Sequence, residues 1–274
     1  MTSGETAREL FLNETVSVIM PVYNTENFVA DAIKSVQAQT FSDWQLLVCD
    51  DGSTDKSLEV VQALAKVDSR ISVLRNTGPK GAPGARNTCL SNATGRYIAF
   101  LDSDDLWLPQ KLESQLRFME ENRVSFVFGY CQNMSEQGEQ LSTAKAPASI
   151  SLRKLLFSNF IPCLTVIYDS HTLGKVKQPN IEKRNDFALW LKILKENKGL
   201  EARCYPEVVA HYRVNSYGLS ANKFSGIKYF YRCLRQYAGL NKVVAGFCTF
   251  LAIGFKGLKT LSPQMYNLVV TKLL

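Results

Sequence analysis

The stretch Tyr97-Ile98-Ala99-Phe100-Leu101-Asp102-Ser103-Asp104-Asp105-Leu106-Trp107-Leu108-Pro109 decides how the rest of the chain reads. Its first five residues are apolar, aromatic or β-branched, a run too short for an ordinary helix and suited to a buried strand. Asp102, Asp104 and Asp105 follow at once, and Pro109 then opens an amphipathic helical pattern. Carboxylates at the C-terminal end of a buried strand stand where open α/β sheets bind their ligands. They repel one another, and a divalent cation relieves that repulsion. Hard oxygen ligands select Mg²⁺, Mn²⁺ or Ca²⁺ over zinc. An acidic turn that caps the next helix is the alternative reading of the same residues.

Working outward, residues 16–22 (VSVIMPV) read as a first strand and Phe28–Gln37 as a helix, with Phe28, Val29, Ala32, Ile33 and Val36 at helical spacing. Trp44–Cys49 gives a second strand ending at Asp50-Asp51-Gly52, and Ser53 and Thr54 are natural caps for a helix through Leu58, Val61, Leu64 and Ala65. Ile71–Leu74 is a third strand. A loop from Gly78 to Gly84 then leads into a short helix around Ala85–Ser91, Tyr97–Leu101 is the fourth strand and Val124–Tyr130 the fifth. Strands alternating with helices at this spacing imply a mostly parallel sheet covered by helices. Asp50–Asp51 and Asp102–Asp105 then share one edge of it.

Beyond residue 130 the pattern loosens. Residues 131–150 are polar and turn-rich, a loop or hairpin; 151–159 read as a short helix and 164–168 as a strand. Asp186–Glu196 is an amphipathic helix with Phe187, Trp190, Leu191 and Leu194 on one face, and Asp186 in its first turn suits the helix dipole. Residues 205–214 look like an edge strand, and 227–240 and 243–258 like two helices.

Composition narrows the partners. A hydrophobic fraction of 46% over 274 residues is ample for a core. Seven scattered cysteines without a CxxC pair fit a reducing compartment better than a disulfide framework or a zinc site. The net charge is +7, and beyond Lys223 there is no Asp or Glu, which favours an anionic partner such as a membrane surface or phosphates. No nucleic-acid-binding motif is present, so nucleic acid is not an expected partner. The opening MTSGETARELFLNE lacks the order of a signal peptide, and no run of ~20 apolar residues predicts a membrane span. Val243–Phe255 is thirteen residues without a charge between Lys242 and Lys256. That is an interfacial membrane helix, or one packed on the catalytic domain or a second subunit.

Five pieces, VSVIMPVYN, QTFSDWQLLVCDDGSTD, ARN, GRYIAFLDSDDLWLP and KRNDFALWLK, occur in this order over roughly residues 15–215. Together they resemble the large family-2 glycosyltransferases with a GT-A fold. The resemblance implies a Rossmann-like α/β catalytic domain over residues 1–220, with a helical tail over 221–274. It also implies a UDP-sugar donor, a divalent ion (Mn²⁺ or Mg²⁺) and transfer with inversion at the anomeric carbon. Pro21, Tyr23, Asp51, Arg86 and Asp102 then fall at donor-binding positions. Tyr23 packs on the uracil, Asp51 accepts its N–H, and Arg86 lies near the phosphates or base. Asp104 ligates the metal, Asp102 contacts the ribose or a metal-bound water, and Asp105 caps the following helix. Asp186 matches the catalytic base, although Asn185 departs from the usual E-D pair. His211 is a candidate metal or phosphate ligand, with Asn215 in line with it along a strand, or else a satisfied sheet histidine. Ser220 resembles part of a loop in relatives and is assigned no chemistry. The acceptor implied is a saccharide, a lipid-linked O-antigen or capsule precursor at the cytoplasmic face of the inner membrane, and a homodimer is among the expected assemblies. Two other classes use the same residues: a nucleotide-diphosphosugar hydrolase, which releases product without acceptor, and a non-catalytic peripheral membrane scaffold. The full set Asp51, Asp102, Asp104 and Asp186 speaks against the scaffold.

Overall fold

In the computed structural model, which describes residues 15–214 and 223–262, the apolar runs form strands buried on both faces. The first half of the chain is β1 (Val16–Val22), α1 (Val29–Gln37), β2 (Trp44–Asp50), α2 (Ser57–Val67), β3 (Ile71–Arg75), α3 (Ala82–Asn92) and β4 (Tyr97–Phe100). β1 pairs in parallel with β2 and β4, and β2 in parallel with β3. Side chains alternate across a strand, so Ile98 and Phe100 enter one hydrophobic cluster while Tyr97, Ala99 and Leu101 enter another on the opposite face. A strand covered on both sides is apolar at every position, which is why these runs do not alternate with polar residues.

The second half adds β5 (Leu106–Trp107), α4 (Lys111–Asn122), β6 (Phe126–Met134), β7 (Gln140–Ala144), β8 (Ser149–Ile150), α5 (Leu152–Leu155), β9 (Ile167–Asp169), α6 (Ser170–Leu173), α7 (Asn185–Glu196) and β10 (Ala202–Arg213). The sheet runs β3-β2-β1-β4-β9-β6-β10-β5, with β7 beside β6 and β8 beside β10. Its long ladders, including β6 with β10, are parallel; β9, β5, β7 and β8 pair antiparallel over short stretches. The polar stretch after residue 130 is thus a hairpin grown on β6.

Two local expectations are corrected. Residues 205–214 are not an edge, because β10 lies between β6 and β5; the covering strand is only two residues long and leaves no periodic signal. Ser53 and Thr54 do not cap α2, which starts after Lys56. Both instead bond Asn24, whose N–H donates to Ser53 Oγ at 3.2 Å and whose Oδ1 accepts the Thr54 N–H at 2.8 Å.

The chain closes with α8 (Lys223–Cys233), a π-helical turn (Leu234–Ala238) and α9 (Lys242–Leu261). Phe230 of α8 stacks on Phe187 of α7, centroids 4.9 Å apart, and Cys233, Leu234, Ala245 and Cys248 join the same hydrophobic cluster. All seven cysteines are free. No helix among the described residues is long and apolar enough to cross a membrane. The N-terminal stretch, Asn215, Ser220 and the boundary expected at 220/221 lie outside the described residues.

Trp190 fixes α7 to the sheet. Fully buried, it packs edge-on against Phe100 of β4 at 5.8 Å and Phe126 of β6 at 5.4 Å. Phe100 lies two residues before Asp102, and Trp190 lies one helical turn beyond Asp186, so this contact sets the separation of the two acidic segments. Trp190→Ala should cost about 3–5 kcal/mol of stability, the usual range for deleting a buried tryptophan. Urea titration measures it; a loss under about 1 kcal/mol would contradict this packing.

Candidate active site

The C-terminal ends of β1, β2 and β4 and the N-termini of α3 and α7 converge on one cavity of about 950 Å³. Pro21, Tyr23, Asp51, Arg86, Asp102, Asp104 and Asp186 all line it. Seven of the eight residues singled out from sequence are therefore brought together. His211 is not among the lining residues. It sits half-buried in β10 with its backbone paired to Leu106, and burial pushes its pKa down.

Local turns aim Asp51 into the cavity. Asp50 turns back to accept the N–H groups of Gly52 and Ser53, both at 3.1 Å, and Gly52 takes the positive φ (84°) that this turn requires. Asp51 accepts the Gly81 N–H at 2.7 Å and Asn76 Nδ2 at 2.5 Å. The Gly78–Gly84 loop thereby closes over β2. Gly84 makes the fit possible, since a Cβ there would lie 1.8 Å from the Pro79 carbonyl oxygen. Tyr23 keeps 47% of its surface exposed, and Lys80 Nζ stands 5.0 Å from its ring centroid. An open aromatic face beside a carboxylate can stack a flat base and accept its N–H.

Arg86, on α3, is only 4% exposed. Its Nη2 is ion-paired to Asp102, and its Nη1 donates to Asn185 Oδ1 at 3.0 Å and Gln178 Oε1 at 3.4 Å. Burial disfavours this charge, but Asp102 holds the guanidinium firmly protonated. Asn185 Oδ1 also accepts Gln178 Nε2 at 3.0 Å. The neutral amide at 185 thus satisfies two donors where a Glu would add a further carboxylate beside Asp102.

Asp105 is not a helix cap, because α4 begins after Gln110, five residues on. It is buried and accepts the Arg213 N–H at 2.8 Å. Burial first, then Asp104 and Asp102, push its pKa well up. Arg213 braces the acidic loop: its Nε donates to the Asp104 carbonyl at 2.9 Å and its guanidinium lies 4.6 Å from the Phe28 ring centroid.

Among the described residues no three His, Cys, Asp or Glu side chains form a ready metal cage. Of the carboxylates that line the cavity, Asp102 and Asp104 come from one loop, two residues apart. Mg²⁺-like ions are commonly held by one or two carboxylates, with waters and substrate phosphates completing the shell. The donor set fits such an ion and does not fit structural zinc.

Asp186 sits in the first turn of α7, just behind Arg184, a non-glycine residue in the left-handed region (φ 60°). Arg184 is held there by its Nε–H bond to the Gly226 carbonyl at 2.8 Å. Asp186 Oδ2 accepts Asn159 Nδ2 at 3.0 Å. Burial raises the Asp186 pKa, opposed by the Phe187 N–H, Arg86, Asn159 and Arg184. Asn76, Asn159 and Gln178 support the site yet escaped sequence reading, because all three lie in loops, which leave no periodicity.

Residues 17–171 match the family model described as glycosyl transferase family 2. Two Escherichia coli proteins, WfgD and WfaP, share 42% and 39% identity with this chain, over 78% and 77% of its length and 82% of theirs. Each is named a UDP-Glc:alpha-D-GlcNAc-diphosphoundecaprenol beta-1,3-glucosyltransferase. The mannosyltransferase PcManGT of Pyrobaculum calidifontis, solved with GDP-Man and Mn²⁺, has a similar fold. Its TM-score is 0.64 at 16% identity, covering 97% of this chain and 84% of that one.

Removing the Asn159 amide deletes a bond that favours ionised Asp186, so Asn159→Ala should move the Asp186 titration midpoint to higher pH. Carboxyl-carbon NMR measures it; an unmoved midpoint would contradict the geometry.

Proposed function

The chain belongs to glycosyl transferase family 2, and from that premise we propose that it transfers a hexose from a UDP-sugar to a lipid-linked saccharide, a bacterial surface-polysaccharide precursor, with inversion at the anomeric carbon. One observation carries the reading. Residues from five separated segments, each matching a family position, line a single cavity with Asp186 among them.

In this reading Tyr23 packs on the uracil, beside Pro21, and Asp51 accepts its N–H through a lone pair left free by Asn76 and Gly81. Arg86 acts as a strut that orients Asp102 rather than as an open phosphate hook, because it is buried, with Nη2 ion-paired to Asp102 and Nη1 donating to Asn185. Asp104 and Asp102 would hold a divalent cation, Mn²⁺ or Mg²⁺, which when bound stabilises charge on the departing diphosphate. A hydroxyl is a poor nucleophile at neutral pH, so a positioned carboxylate must take its proton. Asp186 is that base. Burial makes it more basic than a solvated carboxylate, and the Phe187 N–H, Arg86 and Asn159 oppose that rise. The activities named for WfgD and WfaP support a lipid diphosphate carrier for the acceptor and make UDP-glucose the first donor to test. The enzyme then works at the cytoplasmic face of the inner membrane.

A panel of UDP-hexoses with Mn²⁺, followed with and without a lipid-linked GlcNAc acceptor, tests the reading. Acceptor-dependent donor loss is expected, and equal loss without acceptor would favour hydrolysis. Asp186→Asn should keep donor Kd within about threefold while transfer falls by roughly 10²–10⁴, the usual contribution of a general base. Undiminished transfer would relocate the base.

A further inference from the structure

Helix α9 is amphipathic the wrong way round for a helix at the surface of a water-soluble domain. Val243, Phe247 and Phe250, spaced i, i+4, i+7 and hence on one face, are 81%, 61% and 71% exposed, and Val244 and Ile253 flank them, also exposed. The side turned to the body is lined instead by Ala245, Cys248 and Thr249, all buried. Most of the larger apolar side chains therefore point outward, while Phe255 packs edge-on against Phe157 at 5.9 Å. No charge interrupts residues 243–255.

A patch of this kind needs a cover, and the surrounding charge decides which. Residues 223–274 carry Lys223, Lys228, Arg232, Arg235, Lys242, Lys256, Lys259 and Lys272, and no Asp or Glu. Lys228, Arg232 and Lys242 are exposed. Two copies meeting through this face would bring two net-basic tails together. An anionic bilayer offers both an apolar interior for the phenylalanines and phosphates for the rim. Thirteen residues at about 1.5 Å each give roughly 20 Å, too short for a hydrocarbon core of about 30 Å but sufficient to lie within its surface.

We propose that the Val243–Phe247–Phe250 face of α9 docks in the plane of an anionic lipid bilayer. Helix α9 packs against α8, and Gly226 of α8 lines the catalytic cavity. Docking would therefore hold the cavity close to the membrane, where a lipid-carried acceptor is confined. This deepens the reading of the acceptor given above, and its test uses no sugar substrate, so the two fail separately.

The test is co-sedimentation of the full chain with vesicles of phosphatidylglycerol mixed with phosphatidylcholine, or of phosphatidylcholine alone. The wild-type protein is expected to bind the anionic vesicles, more weakly as salt rises, and to bind the neutral ones at least several-fold less. The double substitution Phe247→Glu/Phe250→Glu should weaken partitioning about tenfold or more, with an unchanged melting temperature because both side chains are already exposed. Val243→Ser serves as a milder second variant in the same direction, and Lys242→Glu should weaken only the anionic arm. Wild-type protein that ignores vesicles, or variants that bind as well as wild type, would overturn the proposal. So would a dimer in solution that the double variant converts to monomer, which would assign the face to a second copy.

Discussion

A buried cation holds the site together. Arg86 has almost no access to water, and its charge is offset by Asp102 from the loop after β4, while its Nη1 donates to Asn185 at the head of α7 and to Gln178. Losing Asp102 would leave this buried charge uncompensated, a cost moderated by the 34% of the Asp102 side chain that stays exposed. The acidic loop, α3 and the head of α7 thus cannot drift apart independently. Asp102 and Asp186 are separated by most of the sheet in sequence, yet both are referred to the same guanidinium.

The fold supplies the coarse positions and the polar contacts refine them. Parallel strands end on one edge, which gathers Tyr23, Asp51 and the Asp102–Asp105 loop. Trp190 then presses α7 onto Phe100 and Phe126, and Phe187 joins α7 to Phe230 of the tail. Arg213 reaches across from β10 to brace the acidic loop by its carbonyl. The described part of the tail is accordingly packed on the core through one side of α8 and α9, with the apolar outer face of α9 left bare.

The strands from residue 16 to about 130 were legible because most are buried on both faces, which leaves an uninterrupted apolar run; the edge strand β3, with Ser72 and Arg75 exposed, is the exception. Asp51, Asp102 and Asp104 were legible as candidate site residues because each lies within three residues of the end of such a run. Asp186 stood out through its motif, since its place in the first turn of a helix has an ordinary electrostatic explanation. What stayed hidden depends on contacts between distant segments. Asp105 reads as a cap but is a buried acceptor for the backbone of residue 213. Ser53 and Thr54 read as caps but tie the β2 loop to Asn24. His211 is visible as a chemically able residue, while its pairing opposite Leu106 depends on a two-residue strand that no pattern reveals. Asn159 and Gln178 lie in loops, where nothing in the sequence says which way a side chain turns.

Whether these separated carboxylates serve one ligand is measured most directly by anomalous scattering from a crystal grown with Mn²⁺ and UDP. The predicted result is a manganese peak bound by the Asp104 carboxylate, with the uracil against Tyr23 and Asp51 and the Asp186 carboxylate facing the open side of the diphosphate. A nucleotide seated elsewhere, or manganese with no contact to Asp104, would contradict it.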